Sequence, residues 1–373
     1  MNSKSMSIVH VSSAHPYTDN RVHYRECNTL AAAGYDVTLV AVESPVSGPQ
    51  TDVKVVTIPR RKRFARIILS SFAAARIAFR AKAKVVHMHD PELIPYIPFL
   101  RLAGRFVIYD AHEDLPVQIL NKSYLGRPSA MILSLFSRAL VRVAHMSNLV
   151  VCATETIATR FPAAKVVLVR NYPPLREAEM GAGTVDDAAR DARIVYVGGL
   201  GEGRGAGVMV DAMAEPRMPT GWRLHMAGAA SPSALERLQK RGGWSEVDFE
   251  GLVAPEVARD IILSARVGFV LFGDSAAHRN ALPTKMFEYF AAGVPVIASD
   301  FPLWRSIVET NECGILVPPA SPSAVAEAVR AYADDPELLK HHSRNARNLA
   351  VERLNWAPEG RALVEAYNEL LKS

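Results

Sequence analysis

The 373 residues, 49% hydrophobic and 22% charged, suit two globular domains with a core each and exclude a disordered, collagen-like or disulfide-scaffolded chain. A net charge of +5 conceals an asymmetry, because residues 1–170 carry 22 Lys and Arg against 11 Asp and Glu and the remainder 21 against 27. Cys27, Cys152 and Cys313 stand far apart with no paired spacing, which fits reduced thiols and offers no cysteine metal site.

At the start, Met1–Ser7 has no apolar h-region, and Arg66, Arg76 and Arg138 interrupt the longest apolar runs. The expectation is a cytoplasmic chain without a membrane span. Short β-branched runs then alternate with helical patterns: Ile8–Val11, a helix over Val22–Ala33, Val37–Val42, Val53–Ile58, a basic helix, Val85–Met88, Phe106–Tyr109, a helix over Ser129–Ala144, Leu149–Cys152 and Val166–Val169. That alternation predicts a parallel sheet flanked by helices, an α/β domain over residues 1–170.

No acid falls between Asp52 and Asp90, where ten Lys and Arg side chains lie. Such a segment calls for an anionic partner surface. On a wheel of 100° per residue, Phe64, Ile67, Ile68, Phe72, Ala75 and Phe79 form one arc, expected to pack on the core. Arg63, Arg66, Arg76 and Arg80 form the other, together with Leu69 and Ile77. Apolar residues among arginines suit a face pressed into lipid headgroups, so an anionic membrane surface is the expected partner. A solvated basic helix is the plain alternative. Nucleic acid is not expected, since no aromatic interleaving, zinc spacing or helix-turn-helix pattern accompanies the charge.

Residues 171–191, with Tyr172-Pro173-Pro174 and scattered acids, read as a linker. The alternation restarts with Arg193–Val197, Trp222–Met226, Val247–Phe249, Val267–Phe272, Val294–Ala298 and Gly314–Val317, a second α/β domain over 192–353. Its strand ends carry Gly198-Gly199, Gly228, Gly251 and Gly273, where open α/β sheets bind ligands. Residues 354–373 have a helical period and are expected to return to the first domain.

The most specific stretch runs from Asn280 through Leu282-Pro283-Thr284-Lys285 to Glu288 and on to Gly293-Val294-Pro295. Pro283 suits the first helical position, leaving amides around Thr284–Met286 to face a phosphate, with Lys285 beside them and Glu288 a turn on to accept from vicinal hydroxyls. A surface helix followed by a buried strand is the alternative. The strand-and-turn Tyr196-Val197-Gly198-Gly199-Leu200-Gly201-Glu202-Gly203-Arg204-Gly205 reads as a phosphate cradle or as a plain turn.

These stretches resemble the GT-B nucleotide-sugar glycosyltransferases, retaining family 4, over nearly the whole chain. The resemblance implies two Rossmann-like domains facing across a cleft and a nucleotide-diphosphate sugar as donor. Glu288 matches the second glutamate of the family's Glu-x7-Glu pair, which binds the donor ribose, and Asn280 stands at the first, as in relatives with an Asn-x-Leu-Pro-Thr-Lys form. Arg204 matches the cation that neutralises the diphosphate, while Gly199 replaces the family's arginine, leaving Lys285 or Arg21 to compensate. His112, in Phe106-Val-Ile-Tyr-Asp110-Ala-His112, matches an active-site histidine facing the donor sugar, and Asp110 is placed to orient its loop. Asp19 and Arg21, in an Asp-x-Arg form of the first loop, are candidates for acceptor or phosphate, with helix capping as the alternative for Asp19.

By resemblance, a sugar passes with retention from the donor to a hydroxyl of a glycan in cell-surface polysaccharide synthesis, and the basic face suggests that this acceptor is lipid-linked. The enzyme would lie peripherally on the inner face of the membrane. No cofactor is expected. No metal is expected either, since His87 and His89 share a strand face with no third ligand evident. A nucleotide-sugar epimerase of the same fold and a non-catalytic membrane-binding homologue are the rival readings. An NAD-dependent dehydrogenase is disfavoured, because no strand leads into an intact GxGxxG with an acid about twenty residues on.

Overall fold

The computed structural model describes residues 6–112, 127–175 and 190–372, apart from the side chains of Arg63 and of residues 127–130. It comprises two compact units, one of Met1–Asn171 with Trp356–Ser373 and one of Tyr172–Asn355. Residues 176–189 of the expected linker lie outside the described residues, and 171–175 run without regular structure.

In the first unit seven strands form a parallel sheet: β1 (Ser7–Pro16), β2 (Asp36–Val42), β3 (Lys54–Ile58), β4 (Val85–Met88), β5 (Phe106–Ala111), β6 (Leu149–Cys152) and β7 (Val166–Leu168). Their order is β3-β2-β1-β4-β5-β6-β7. The order of the strands along the chain reverses between β1 and β4, and such switch points are where doubly wound sheets open a crevice beyond their carboxyl ends. β4 is buried along its whole length, as a strand covered on both faces must be. The helix Trp356–Lys372 belongs to this unit: Trp356 Nε1 donates to Thr29 Oγ1 at 2.7 Å, and Glu359 accepts from the Arg170 amide at 2.7 Å.

The second unit repeats the plan with β8 (Asp191–Val197), β9 (Arg223–Ala227), β10 (Val247–Phe249), β11 (Ala265–Val270), β12 (Val296–Ser299) and β13 (Gly314–Val317), ordered β10-β9-β8-β11-β12-β13. Its switch point falls between β8 and β11. The turns after these two strands hold Gly198–Gly205 and Gly273, and Gly273 N donates to Gly203 O at 3.1 Å.

The basic segment departs from expectation. It is not one α-helix: residues Arg66–Ser70 form a π-helical stretch before the helix Ser71–Arg80. A π turn inserts extra residues and shifts every later side chain around the axis, so the 100° wheel loses phase. The buried face is Ser70, Ser71, Ala74, Ala75 and Ala78, small residues that let the helix lie close to the sheet. Of the arc expected to pack on the core, only Ala75 does so. Phe64 is 84% exposed, Ile68 67% and Phe72 58%. On the expected membrane face, Leu69, Arg76 and Arg80 are exposed, but Ile77 packs against the core and Arg66 lies 3.3 Å from Glu92. The side chain of Arg63 lies outside the described residues. The helix Arg127–Ala144 adds exposed Met131, Ile132, Leu135 and Phe136. Among the described residues no helix is long and apolar enough to cross a membrane.

Candidate functional site

In the second unit, β8 delivers the chain into a turn closed by two glycines. Gly198 has φ +145°, and a Cβ there would stand 3.1 Å from Lys285 Nζ. Gly205 adopts φ +71°, and a Cβ would meet Leu271 O at 2.2 Å. Gly205→Ala is therefore expected to cost roughly 1–3 kcal/mol in backbone strain, and more from the clash, read as a lower urea midpoint.

The helix Thr284–Ala291 starts one residue later than expected, with Pro283 extended at the N-cap rather than inside the first turn. Lys285 points inward, 5% exposed, with Nζ 3.7 Å from the centre of the Tyr196 ring and 5.4 Å from that of Phe272. Among the described residues its Nζ has no hydrogen-bond partner. Burial, then the charge of Arg204, hold the lysine well below its usual pKa against the pull of Glu288. Arg204 is exposed and acts on the Tyr196 phenol, which burial carries up to about 12. Tyr196 in turn donates to Gly199 O at 2.8 Å, fixing the turn.

The structure thus brings Gly198, Gly199, Arg204 and Lys285 together, with Glu288 half-buried a turn beyond on the same helix. Thr284 is half-buried and Leu282 packs on the core. Asn280 turns back, donating to Ala276 O at 3.1 Å. His278 was not picked out from the sequence. Its Nδ1 lies 2.7 Å from Gly273 O, and its ring lies beside Gly203, where a Cβ would stand 3.3 Å from it. The Ser275 cap that starts its short helix was the available signal.

In the first unit the switch point is held by Asp90, just beyond β4. Its Oδ2 accepts from Ser12 Oγ at 2.7 Å and from the Ser13 amide at 2.6 Å, and its Oδ1 lies 3.0 Å from His15 Nδ1. Burial disfavours a charge on His15, but the hydrogen bond and charge of Asp90 outweigh it and push the imidazole up to about 9. This stabilisation is complete below the unfolded value of about 6.5 and disappears as pH rises through about 9. Thermal stability is expected to fall by about 3 kcal/mol over that window, and His15→Gln should flatten the profile.

His112, just after β5, lies 3.4 Å from Asp110 Oδ2, and its ring centre is 5.1 Å from that of His15. Glu113 and Asp114 lie outside the described residues. The candidates for phosphate or acceptor contact are engaged within the protein. Asp19 caps a π-helix, Asn20–Cys27, accepting from the amides of Arg21 at 2.9 Å and Val22 at 2.8 Å. Arg21 is buried and grips both oxygens of Asp110 at 3.0 and 2.7 Å, with Val169 O at 2.9 Å. With its donors directed inward, Arg21 is a positioning residue for Asp110 and not the second diphosphate clamp.

Two further candidate ligands, His10 and Glu26, stand beside His87 and His89, where the sequence showed no third. β1 pairs with β4 so that His10 sits opposite His87, and Glu26 of the π-helix approaches the same spot. His10, Glu26, His87 and His89 each offer an atom within 4.8 Å of the others, all buried. They also bond one another and their neighbours: His10 Nδ1 to His89 Nε2 at 2.9 Å, His89 Nδ1 to Asp110 at 3.1 Å, and His87 Nδ1 to the Tyr367 hydroxyl at 2.8 Å. Burial keeps the three imidazoles neutral and drives the Glu26 carboxyl toward its protonated form. A cation here would have to displace the proton of Glu26 and open the His10–His89 bond.

Residues 20–171 match the family described as Glycosyltransferase Family 4, and residues 191–335 match Glycosyl transferases group 1. A phosphatidyl-myo-inositol mannosyltransferase of Mycobacterium leprae is 27% identical over 128 residues, 34% of this chain and 31% of that protein. The matched segments span between 31% and 45% of the curated relatives' own length. Among solved structures, sucrose-phosphate synthase from Thermosynechococcus elongatus superposes with a TM-score of 0.73 at 19% identity, covering 99% of this chain and 100% of that one. Anabaena HepE in complex with UDP and glucose gives 0.71 at 13% identity, covering 98% and 100%. These likenesses show the fold, GT-B with two Rossmann-like domains.

Proposed function

Because the chain belongs to the group 1, family 4 glycosyltransferases, we propose that it moves a hexosyl group from a nucleoside-diphosphate sugar to a hydroxyl of a lipid-linked glycan in cell-surface polysaccharide synthesis. One observation carries the donor half: a buried lysine without a hydrogen-bond partner among the described residues faces a glycine turn that Arg204 closes. An anion relieves such a cation, and a diphosphate suits two positive groups beside a helix N-terminus. The name of the M. leprae relative, which specifies a phosphatidylinositol acceptor, supports the lipid half, and the UDP and glucose bound to HepE support the donor half.

In this reading the second unit holds the donor and the first the acceptor. The C1–O bond to the diphosphate breaks with its electron pair passing to the phosphate oxygen. The acceptor hydroxyl attacks C1 on the same face, and its proton passes to that leaving oxygen, so the anomeric configuration is retained without a protein nucleophile. Arg204 and Lys285 neutralise the charge that grows on the diphosphate, Glu288 accepts from the ribose hydroxyls, and His112 steadies the sugar. Those two cations supply the neutralisation, and no resident metal or cofactor is part of the proposal. The exposed apolar and basic face of the first unit meets an anionic membrane from the cytoplasmic side.

A thermal-shift panel of UDP, GDP, ADP and TDP tests the donor site, since a ligand at a hundred times its Kd adds about 2.7 kcal/mol. Incubation with nucleotide sugars and membrane extract then tests the reaction. Released nucleoside diphosphate with labelled lipid supports transfer. Conversion of the donor without an acceptor makes the protein an epimerase, and no turnover with any donor makes it a binding protein.

A further inference from the structure

Two depressions adjoin in the first unit. One, about 430 Å³, is apolar and runs between the basic segment and the helix Arg127–Ala144, lined by Ile68, Leu69, Phe72, Pro95, Phe136 and Leu140 among others. The other, about 360 Å³, is lined by Ser13, Ala14, Val42, Arg60, Arg61 and Arg66. Glu92 lines the first and Arg66 the second, and the two side chains lie 3.3 Å apart, so this pair forms a shared wall. The cationic depression opens beside the carboxyl ends of β1 and β2, and Ser13 and Ala14 lead directly into His15, whose ring meets that of His112. Volumes of this size are those of ligand clefts rather than of packing defects.

We infer that the two depressions form one bipartite site for a phosphate-bearing lipid, its phosphate or diphosphate among Arg60, Arg61 and Arg66 and its hydrocarbon chain in the groove between the two helices. Charge complementarity selects the headgroup: Glu92 on the shared wall is already paired with Arg66, Arg60 and Arg61 face the depression beside it, and these arginines belong to a stretch of ten basic residues without an acid. The side chains that leave water when a chain lies in the groove, Ile68, Leu69, Phe72 and Phe136, are all more than half exposed. The placement takes the lipid headgroup, and a sugar attached to it, toward His112. The site deepens the acceptor reading and rests on it.

The probe is farnesyl diphosphate, below its micelle concentration, titrated calorimetrically into the full chain with farnesol and inorganic pyrophosphate as comparators. Saturable binding at one site is expected, at least tenfold tighter than either comparator. Phe72→Ser with Phe136→Ser, and separately Arg60→Gln with Arg61→Gln, should each weaken it at least tenfold. These side chains are at the surface, and an unchanged melting temperature confirms that the variants fold. Saturating UDP should not displace the probe. If Lys285→Met abolishes binding while the groove and arginine variants keep it, the probe sits in the donor site and the inference is overturned. Binding to phosphatidylglycerol vesicles without saturable farnesyl diphosphate binding also overturns it, because the face then meets a bilayer and does not take up a single lipid. Failure of every nucleoside diphosphate to stabilise the protein, with farnesyl diphosphate still bound, removes the transferase reading and leaves the lipid site standing.

Discussion

Lys285→Met is expected to lower kcat/KM for the nucleotide sugar by about 10²–10³-fold, the usual effect of removing one preorganised group aimed at developing charge. The same substitution should raise the melting temperature without nucleotide. Lys285 is desolvated, lies over an aromatic ring and has no hydrogen-bond partner among the described residues. Methionine keeps the length of the side chain and discards the charge, which removes the cost of holding a desolvated ammonium without a hydrogen-bond partner. Activity and stability therefore move in opposite directions, as they do where strain is stored for function. A pH series separates this from a general packing effect. The folded lysine titrates below the unfolded one, so between those two values the unfolded chain binds the extra proton and stability rises with pH. That rise should vanish in Lys285→Met. Nucleoside diphosphate should stabilise the wild type and leave the variant little changed. A variant with near-normal kcat/KM would remove Lys285 from the donor site.

How much of this was readable beforehand depended on how far apart in sequence the partners lie. Most strands are short runs with β-branched residues whose identity is local, and Val85–Met88, Leu149–Cys152, Val247–Phe249 and Gly314–Val317 form with the expected limits. β1 runs on to Pro16, past the expected Val11, while Ser12, Ser13 and Ala14 bond to Asp90, a partner 76 to 78 residues away that no local pattern contains. Asn20–Cys27 and Arg66–Ser70 are both π-helical, and a 3.6-residue period misplaces the faces of such stretches, as the wheel did for the basic segment. In the first, Arg21, His23, Arg25 and Glu26 all end up buried. In the second, the large apolar side chains that a wheel would send inward end up in solvent. The turn Gly198–Gly205 was legible as a turn because glycines mark where a backbone must approach closely, and Gly198 lies against Lys285. The histidine cluster was half legible. Two of its members are two residues apart on β4, but His10 joins them only through the β1/β4 register.

Arg21→Met should destabilise the first unit by about 3–5 kcal/mol, the cost of leaving a buried charge without its partner. Burial alone would raise the pKa of Asp110, but the charge of Arg21, together with hydrogen bonds from His112, His89 and Arg21 itself, outweighs burial and holds that carboxylate well below its usual range. His89 and His112 face the same carboxylate at 3.1 and 3.4 Å, and Glu26 lies 3.0 Å from Arg21 Nε. With the guanidinium gone, two buried acids face each other with no fixed cation. The pH dependence then changes sign. In the wild type, Asp110 contributes stability that is present above the unfolded carboxylate value of about 3.9 and is lost as pH falls toward its depressed folded value. In the variant, burial raises the folded value above the unfolded one, so acidification from pH 7 toward 5 should restore stability by protonating Asp110. Arg21→Met with Asp110→Asn should recover part of the loss at pH 7, because no bare charge remains. His112 loses its ionic neighbour in that double variant, so kcat should stay low while nucleoside diphosphate binding in the second unit is unchanged. Urea melts at pH 5 and 7 decide the matter: a single variant within about 1 kcal/mol of wild type at both values would mean that Asp110 does not depend on Arg21 for its charge.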